Sequence, residues 1–321
     1  MRVAVLSGGR SSEHDVSLRS GEAVAGGLEE AGHEVVRVEI SREGSWSCDG
    51  APVELTPGAG LLGADAAFPA LHGPFGEDGS VQGLLEWLDL PYVGSDVLSS
   101  AICMDKLTLK RLFAQAGLPQ VDFVAAGEPG WRERCEAMGL PLWVKPSRLG
   151  SSVGISKVES LGELDAAVEL ARRHDSRVIV EASAAGREVE CSLLGNEEVE
   201  ASQPGEVVAN GDWYDYETKY RDGGMELVVP APLPDEQRAQ VRDLAVRAFE
   251  LGGCSGLARC DFFVEPIGAV LVNEINTMPG FTENSVYAKL WAATGLDYPT
   301  LCDRLVDLAV DRYEQARSHK F

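Results

Sequence analysis

Lys145-Pro146-Ser147-Arg148-Leu149-Gly150-Ser151-Ser152-Val153-Gly154 is the stretch of this 321-residue chain with the densest chemistry. A lysine closes an apolar run, a Gly/Ser-rich loop follows, and a second apolar run begins. Glycine lets backbone approach an anion closely, and serine adds hydroxyl and N–H groups without bulk. Such a loop suits phosphate oxygens, with Lys145 beside them as a point charge. It is not a Walker A loop, because no Gly-Lys-Ser/Thr closes it and no helical pattern follows. Residues 153–158 read as a strand, which makes the loop a flap between two strands. That combination points to folds that grip a nucleotide triphosphate between sheets.

A second constellation is Arg259-Cys260-Asp261 followed by Asn273-Glu274-Ile275-Asn276. Side chains alternate across a strand, so Arg259 and Asp261 share one face, as do Glu274 and Asn276. Between them Glu265-Pro266-Ile267-Gly268 reads as a tight turn. A two-residue loop at Ile267-Gly268 opposes Asp261 to Glu274, and one at Pro266-Ile267 opposes Arg259 to Glu274. Both registers crowd the four polar groups onto one face, and only a one-residue bulge would separate them. Two carboxylates and an amide oxygen so placed are oxygen ligands for Mg²⁺, which also takes water and nucleotide phosphates. A solvated face with a surface ion pair would account for the carboxylates. It would not account for an Asn and an Arg on the same stripe next to Pro279-Gly280. Residues 277–285 then read as a turn into a helix start, where N–H groups and the Ser285 hydroxyl could receive a carboxylate. Ordinary capping by Thr282 or Asn284 is the competing reading.

Near the N-terminus, Gly8-Gly9-Arg10-Ser11-Ser12-Glu13-His14-Asp15-Val16-Ser17 follows a first strand and opens a first helix. Open α/β sheets bind ligands at this place, outside the carboxyl ends of the strands. The lack of a GxGxxG fingerprint speaks against a dinucleotide. Glu13 in that crevice favours a cationic group such as an ammonium, or else complements the helix dipole. A later strand ends in Leu71-His72-Gly73, so His72 is predicted to point into the same crevice. A lone histidine is more often structural, and its place at a strand end is what singles it out.

The elements that must position these groups follow from periodicity. Strands at 3–6, 33–40 and 66–71 with a helix at 16–28 read as an open parallel sheet. A helix at 104–115 is stopped by Gly117 and Pro119. Strands at 142–145, 155–158 and 177–181 with a helix at 161–174 predict a small α+β unit carrying the flap. From Glu188 onward strands dominate, with helices at 235–251, 285–293 and from Pro299. At roughly 150 residues per domain, two or three domains are expected.

Composition sets outer limits. Hydrophobic residues at 45% and charged residues at 25% are those of a soluble globular protein. The net charge of −23 speaks against nucleic-acid or anionic-membrane partners. It also means that a nucleotide must be held by a local concentration of lysine, arginine and metal. The 7 cysteines are scattered and form no CxxC pair, which predicts reduced thiols in a cytoplasm. Cys260 should point away from the polar stripe as a core thiol. No apolar run approaches the ~18 residues needed to span a bilayer, and the apolar start is too short for a signal peptide. A cytoplasmic protein is expected.

The motifs at 8–17, Leu-His-Gly…Gly-Glu-Asp-Gly (71–79), Met-Asp-Lys (104–106), 145–154, Tyr-Asp-Tyr-Glu-Thr-Lys-Tyr (214–220), 259–261 and Asn-Glu-Ile-Asn-Thr-Met-Pro-Gly-Phe-Thr (273–282) stand in one order. Together they closely resemble the D-alanine–D-alanine ligase family of the ATP-grasp superfamily, over essentially the whole chain. The resemblance implies an α/β, three-domain ATP-grasp fold. Its parts would be an N-terminal open parallel sheet domain (1–97), an α+β domain with the flap (98–180) and an α+β domain with metal and catalytic residues (181–321), the last two gripping ATP.

It further implies ATP-dependent ligation of two D-alanines through a D-alanyl phosphate, releasing ADP and phosphate, for peptidoglycan precursor synthesis. By resemblance, Lys106, Lys145 and Ser152 meet the phosphates, Glu181, Ala182 and Ala184 the adenine, and Glu188 the ribose. Asp261, Glu274 and Asn276 match ligands of two Mg²⁺ ions, or Mn²⁺ in their place. Arg259 and the Gly280 N–H match oxyanion donors, and Glu13, Ser151 and Tyr220 a hydrogen-bonded triad. Glu13 would anchor the first substrate's ammonium near His72, and Ser285 would meet the second substrate's carboxylate, with Lys219 also on substrate. A homodimer is implied. The chain departs from the family at Leu149, often glutamate, and at Ala182-Ser183, often Lys-aromatic. Three rivals are a D-alanine–D-lactate ligase, disfavoured by Tyr220, a different ATP-grasp chemistry such as biotin-dependent carboxylation or carbamoyl phosphate synthesis, which would not explain the Glu13 and His72 motifs, and a non-catalytic nucleotide-binding regulator, disfavoured by the intact Arg259, Asp261, Glu274 and Asn276.

Overall fold

The computed structural model describes residues 1–150, 153–209 and 225–319, and these build three sheets. The first contains β1 (Arg2–Gly8), β2 (Glu34–Ile40), β3 (Trp46–Cys48), β4 (Ala51–Pro52) and β5 (Ala66–Pro69) in the order β4-β3-β2-β1-β5. β1 runs parallel to β2 and β5, while β3 and β4 add antiparallel pairs at the edge. The three expected strands are thus parallel to one another, and the unexpected β3 and β4 extend the sheet antiparallel at the edge away from β5. The two edge strands are too short to display a period of two. Val3 to Leu6 are buried throughout, as a strand covered on both faces must be. Helix α1 (His14–Glu30) turns Val16, Val24, Ala25 and Leu28 towards that sheet.

After α2 (Ser80–Trp87) comes α3 (Val97–Met104), which was not expected, and then α4 (Lys106–Ala116), the expected helix at 104–115 with its start two residues later. Asp105 breaks them apart with an extended backbone, φ −90° and ψ 97°. Its carboxylate accepts from the Thr108 N–H at 3.1 Å, capping α4, and from Ser147 Oγ at 2.8 Å. The start of α4 is thereby tied to the base of the flap. α4 ends at Gly117, whose φ of +70° is the left-handed conformation that glycine adopts without penalty.

The second sheet has β6 (Phe123–Ala125), β7 (Leu142–Pro146), β8 (Ser156–Val158) and β9 (Val178–Ala182) in the order β6-β9-β7-β8. Helices α5 (Trp131–Met138) and α6 (Leu164–Arg172) pack against it, α6 being entered through a capping box of Ser160 and Glu163. β7 and β8 pair antiparallel from Leu142 opposite Val158, so the flap connects the two strands of a hairpin, as expected.

The third sheet contains β10 (Arg187–Gly195), β11 (Val199–Ala201), β12 (Gly205–Ala209), β13 (Met225–Val228), β14 (Gly256–Val264) and β15 (Val270–Asn276). Helix α7 (Asp235–Gly252) covers its core face, and α8 (Val286–Thr294) and α9 (Tyr298–Arg317) connect it to the first sheet. The β14–β15 loop differs from both expected loops, while the pairing of Asp261 with Glu274 is the one expected for the Ile267-Gly268 turn. Glu265 N–H bonds to the Ala269 carbonyl at 2.8 Å, giving a three-residue loop closed by Gly268 at φ +94°. Alone, that loop would shift Asp261 off Glu274. A bulge between Asp261 and Phe262 restores the pairing, so Asp261 faces Glu274 and Arg259 faces Asn276. The bulge does not separate the polar group because it lies on the turn side of it.

Phe281 fastens the chain after β15 to the first sheet. Fully buried, its ring lies 5.3 Å from Phe68 of β5, 5.5 Å from Tyr287 of α8 and 5.6 Å from Tyr298 of α9. Tyr298 also donates to the Phe281 carbonyl at 3.0 Å. Truncation would leave a cavity where three elements meet. Phe281→Ala is expected to cost about 3–5 kcal/mol in urea unfolding; a loss below about 1 kcal/mol would show that this cluster does not hold the units together.

Candidate active site

Arg259 stands on β14 between two carboxylates. Its Nε and Nη2 donate to Asp261 Oδ1 and Oδ2 at 2.7 and 2.8 Å, and Nε lies 2.9 Å from Glu190 Oε2. Glu190 arrives from β10, where it pairs with Asp261 across the ladder. Burial weighs against the guanidinium charge, but Asp261 and Glu190 outweigh it and hold its pKa well above the ordinary value. Glu274 lies across from Asp261 and 3.2 Å from Lys106 Nζ. Cys260 points the other way into the core, and burial pushes its thiol well up.

Opposite this face stand Lys106 and Lys110 of α4 and Lys145 of β7. Lys106 Nζ donates to the Leu149 carbonyl at 2.9 Å, so the flap is engaged through main chain whatever side chain occupies position 149. Lys145 Nζ lies 2.6 Å from Glu181 Oε2, and Lys110 Nζ lies 3.1 Å from Glu181 Oε1. Burial opposes the Glu181 charge, yet the two lysines hold its pKa down at about 2. The Glu181 carboxylate is thus committed to lysines, and Ala182 and Ala184 continue the wall beyond it. Trp143 Nε1 and Ser183 Oγ close that side at 3.3 Å. Lys106, Lys145, Glu181, Ala182, Ala184, Glu188, Asp261 and Glu274 all line one cleft of about 300 Å³ between the second and third sheets.

The N-terminal residues form an adjoining site. His72 is buried, with Nε2 2.8 Å from Ser20 Oγ and Nδ1 donating to the Met278 carbonyl at 3.0 Å. It therefore bridges the first sheet to the chain after β15, and it lines a crevice together with Gly8, Gly9, Arg10 and Ser11. Burial opposes its charge, but the facing Glu77 and Glu13 raise its pKa. Glu77 itself accepts from the Gly73 N–H at 2.9 Å. Glu13, 7% exposed, sits between the loops of Gly73 and Gly150. Gly73 has φ +74°, and a Cβ there would lie 2.5 Å from Glu13 Oε2. Neither Thr282 nor Asn284 caps α8. Ser285 occupies the N-cap position, and its Oγ accepts from the Thr282 N–H at 3.0 Å. A Cβ on Gly280 would lie 3.5 Å from that Oγ, so the two expected substrate-side residues stand together. Ser151, Ser152, Lys219 and Tyr220 lie outside the described residues.

Asp261, Glu274 and the Asn276 amide present oxygen donors only, which fits a hard cation. Asn276 Oδ1 also accepts from the Met278 N–H at 3.0 Å. No cluster of three or more His, Cys, Asp or Glu poised around a metal occurs among the described residues, and a cation here would rely on the amide or on a bound ligand. Sequence reading missed Lys110, Glu190 and Glu77. Lys110 lies four residues after Lys106, hence on the same helix face, and Glu190 lies two after Glu188 on one strand face. Those spacings were the available signals.

Comparison with known proteins gives a consistent result. A family model described as "D-ala D-ala ligase N-terminus" matches residues 2–59 and 52–95, and "D-ala D-ala ligase C-terminus" matches 112–307. The D-alanine--D-alanine ligase of Thermoanaerobacter sp. is 43% identical over 350 residues, covering 98% of each chain. That of Deinococcus radiodurans is 47% identical over 334 residues, covering 97% of this chain and 98% of the relative. Among solved structures, the D-alanine-D-alanine ligase from Coxiella burnetii superposes with a TM-score of 0.89 at 36% identity over 99% and 96% of the two chains. The VanG D-Ala:D-Ser ligase from Enterococcus faecalis gives 0.87 at 34% identity over 96% and 99%.

Two outcomes test this geometry. Gly73→Ala forces a β-carbon against Glu13 at a backbone angle that disfavours alanine, so turnover should fall at least tenfold while the far-ultraviolet spectrum is kept. The lowered pKa of Glu181 favours the folded state above its unfolded value of 4.5, and this contribution disappears as pH falls through about 2. Between those values the unfolding free energy of the native chain should fall more steeply than that of Glu181→Gln; equal slopes would contradict the two-lysine contact.

Proposed function

The chain belongs to the D-alanine–D-alanine ligase family and has its ATP-grasp fold, and from that we propose that it joins two D-alanines into D-alanyl-D-alanine with hydrolysis of ATP to ADP and phosphate. The observation that carries this is the cleft in which Lys106 and Lys145 face the paired Asp261 and Glu274, with Arg259 beside them.

Charge dictates the division of labour. In the first step a D-alanine carboxylate oxygen bonds to the γ-phosphorus and the bond to ADP breaks, which brings anions together. Lys106 and Lys145 would hold the phosphate charge. Asp261, Glu274 and Asn276 would hold Mg²⁺, or Mn²⁺, which when bound neutralises phosphate oxygens. The amine of the second D-alanine then attacks the acyl carbonyl, loses its proton, and phosphate departs. Arg259 and the Gly280 N–H would receive the oxyanion, each such donor contributing about 3 kcal/mol. Glu13 would anchor the first ammonium beside the His72 bridge, and Ser285 the second carboxylate. Ser151, Ser152, Lys219 and Tyr220 keep the roles that the family resemblance implies.

Our division of the chain is 1–97, 98–180 and 181–321. The cytoplasm is the proposed compartment, supported by seven free thiols. Among the described residues no helix is long and apolar enough to cross a membrane. A homodimer is proposed on the family resemblance, and the exposed Trp87, Val97 and Leu98 offer an apolar face for it.

Phosphate release should require D-alanine, fail with L-alanine and stop on chelation of Mg²⁺, with the dipeptide appearing on chromatography. Turnover only when D-lactate or D-serine accompanies D-alanine would reassign the second substrate, and ATP binding without turnover would support a regulator instead. Arg259→Lys loses the forked guanidinium and should lower kcat about 10²–10³-fold.

A further inference from the structure

Lys110 is a charged side chain to which the ligase reading gives no task. It projects from α4, one helical turn beyond Lys106, and is 2% exposed. It does not line the nucleotide cleft, whereas Lys106 and Lys145 do. Its ammonium lies 3.1 Å from Glu181 Oε1, on the side of the carboxylate away from Lys145. A buried lysine is costly unless it is paired, and a replacement by a well-packed apolar side chain is often the more stable solution. Something other than stability has to account for it.

We propose that Lys110 is a positioning residue that offsets the charge of Glu181, so that Lys145 keeps a full positive charge for the phosphates of the nucleotide. Glu181 fixes the Lys145 ammonium through a contact of 2.6 Å, but a carboxylate so close would also cancel it. With Lys110 on its other oxygen, the three groups carry a net charge of +1 and the orienting contact is retained. The need is acute because Glu274 and Glu188 add further negative field at Lys145. Burial lowers the Lys110 pKa, opposed chiefly by Glu181. The charge therefore depends on that carboxylate, as a balanced triad requires.

This inference rests on the reading of Lys145 as a phosphate contact, and calorimetry with Mg²⁺-ADP and with adenosine separates the two. Lys145→Met should raise the ADP Kd at least tenfold; if it does not, the phosphate reading falls and the inference with it. Lys110→Met should also raise the ADP Kd at least tenfold and leave adenosine within about twofold, because adenosine carries no phosphate. Lys110→Met with Glu181→Gln restores a net +1 and should bring ADP back to within about threefold of the native value. Glu181→Gln alone removes the carboxylate facing Lys145 and leaves a net charge of at least +1 whether or not Lys110 keeps its proton, so ADP should bind at least as tightly as to the native chain. This variant tests the sign even if Lys110→Met does not fold. Equal losses for ADP and adenosine in Lys110→Met, no recovery in the double variant, or weaker ADP binding in Glu181→Gln would each overturn the inference while leaving Lys145 in its role.

Discussion

Asp261 and Glu274 face each other across the β14–β15 ladder, where like charges are ordinarily destabilising. The surrounding structure is arranged around that repulsion. Arg259 forks onto Asp261 from two residues away on the same strand, and Lys106 reaches Glu274 from the start of a helix in another unit. In a chain of net charge −23, these cations are a local exception, and Lys106 lines the cleft together with Lys145. The same groups that relieve the carboxylates in the protein alone are those expected to share them with phosphate and metal.

The chain after β15 makes this arrangement felt in the first sheet. Asn276 receives the Met278 N–H, the Met278 carbonyl receives His72, and Phe281 plugs between β5, α8 and α9. Three residues, Asn276 to Met278, thus run from the polar hairpin face to the carbonyl that His72 meets. The site around Glu13 and His72 and the cleft of Lys106 and Lys145 are tied to each other by packing and by two hydrogen bonds at Met278.

Much of this was legible in the sequence, for identifiable reasons. The buried run 3–6, the amphipathic α1, the Gly117 stop and the flap between β7 and β8 have strong local signals, and each was found. The polar stripe was legible because strand alternation is rigid. Its register was less so: a three-residue turn and a bulge compensate each other, and no local residue preference announces such a pair. The break at Asp105 was missed because neither Gly nor Pro marks it. Its cause is tertiary, a carboxylate shared by α4 and Ser147. Lys110 and Glu77 were passed over because burial of a charge is decided by elements far away in the chain. His72 was found, but its inward orientation depends on Ser20 and Met278, distant by 52 and 206 positions.

Lys106 grips the flap by the carbonyl of Leu149, an atom that every amino acid supplies. A latch made from main chain leaves no trace in residue identity. Position 149 can drift between leucine and glutamate in related chains while the clasp persists, so divergence at that column of an alignment says nothing about whether the flap is held. Engineering could exploit the same indifference: the side chain at 149 is a handle on the flap that can be altered without unfastening it.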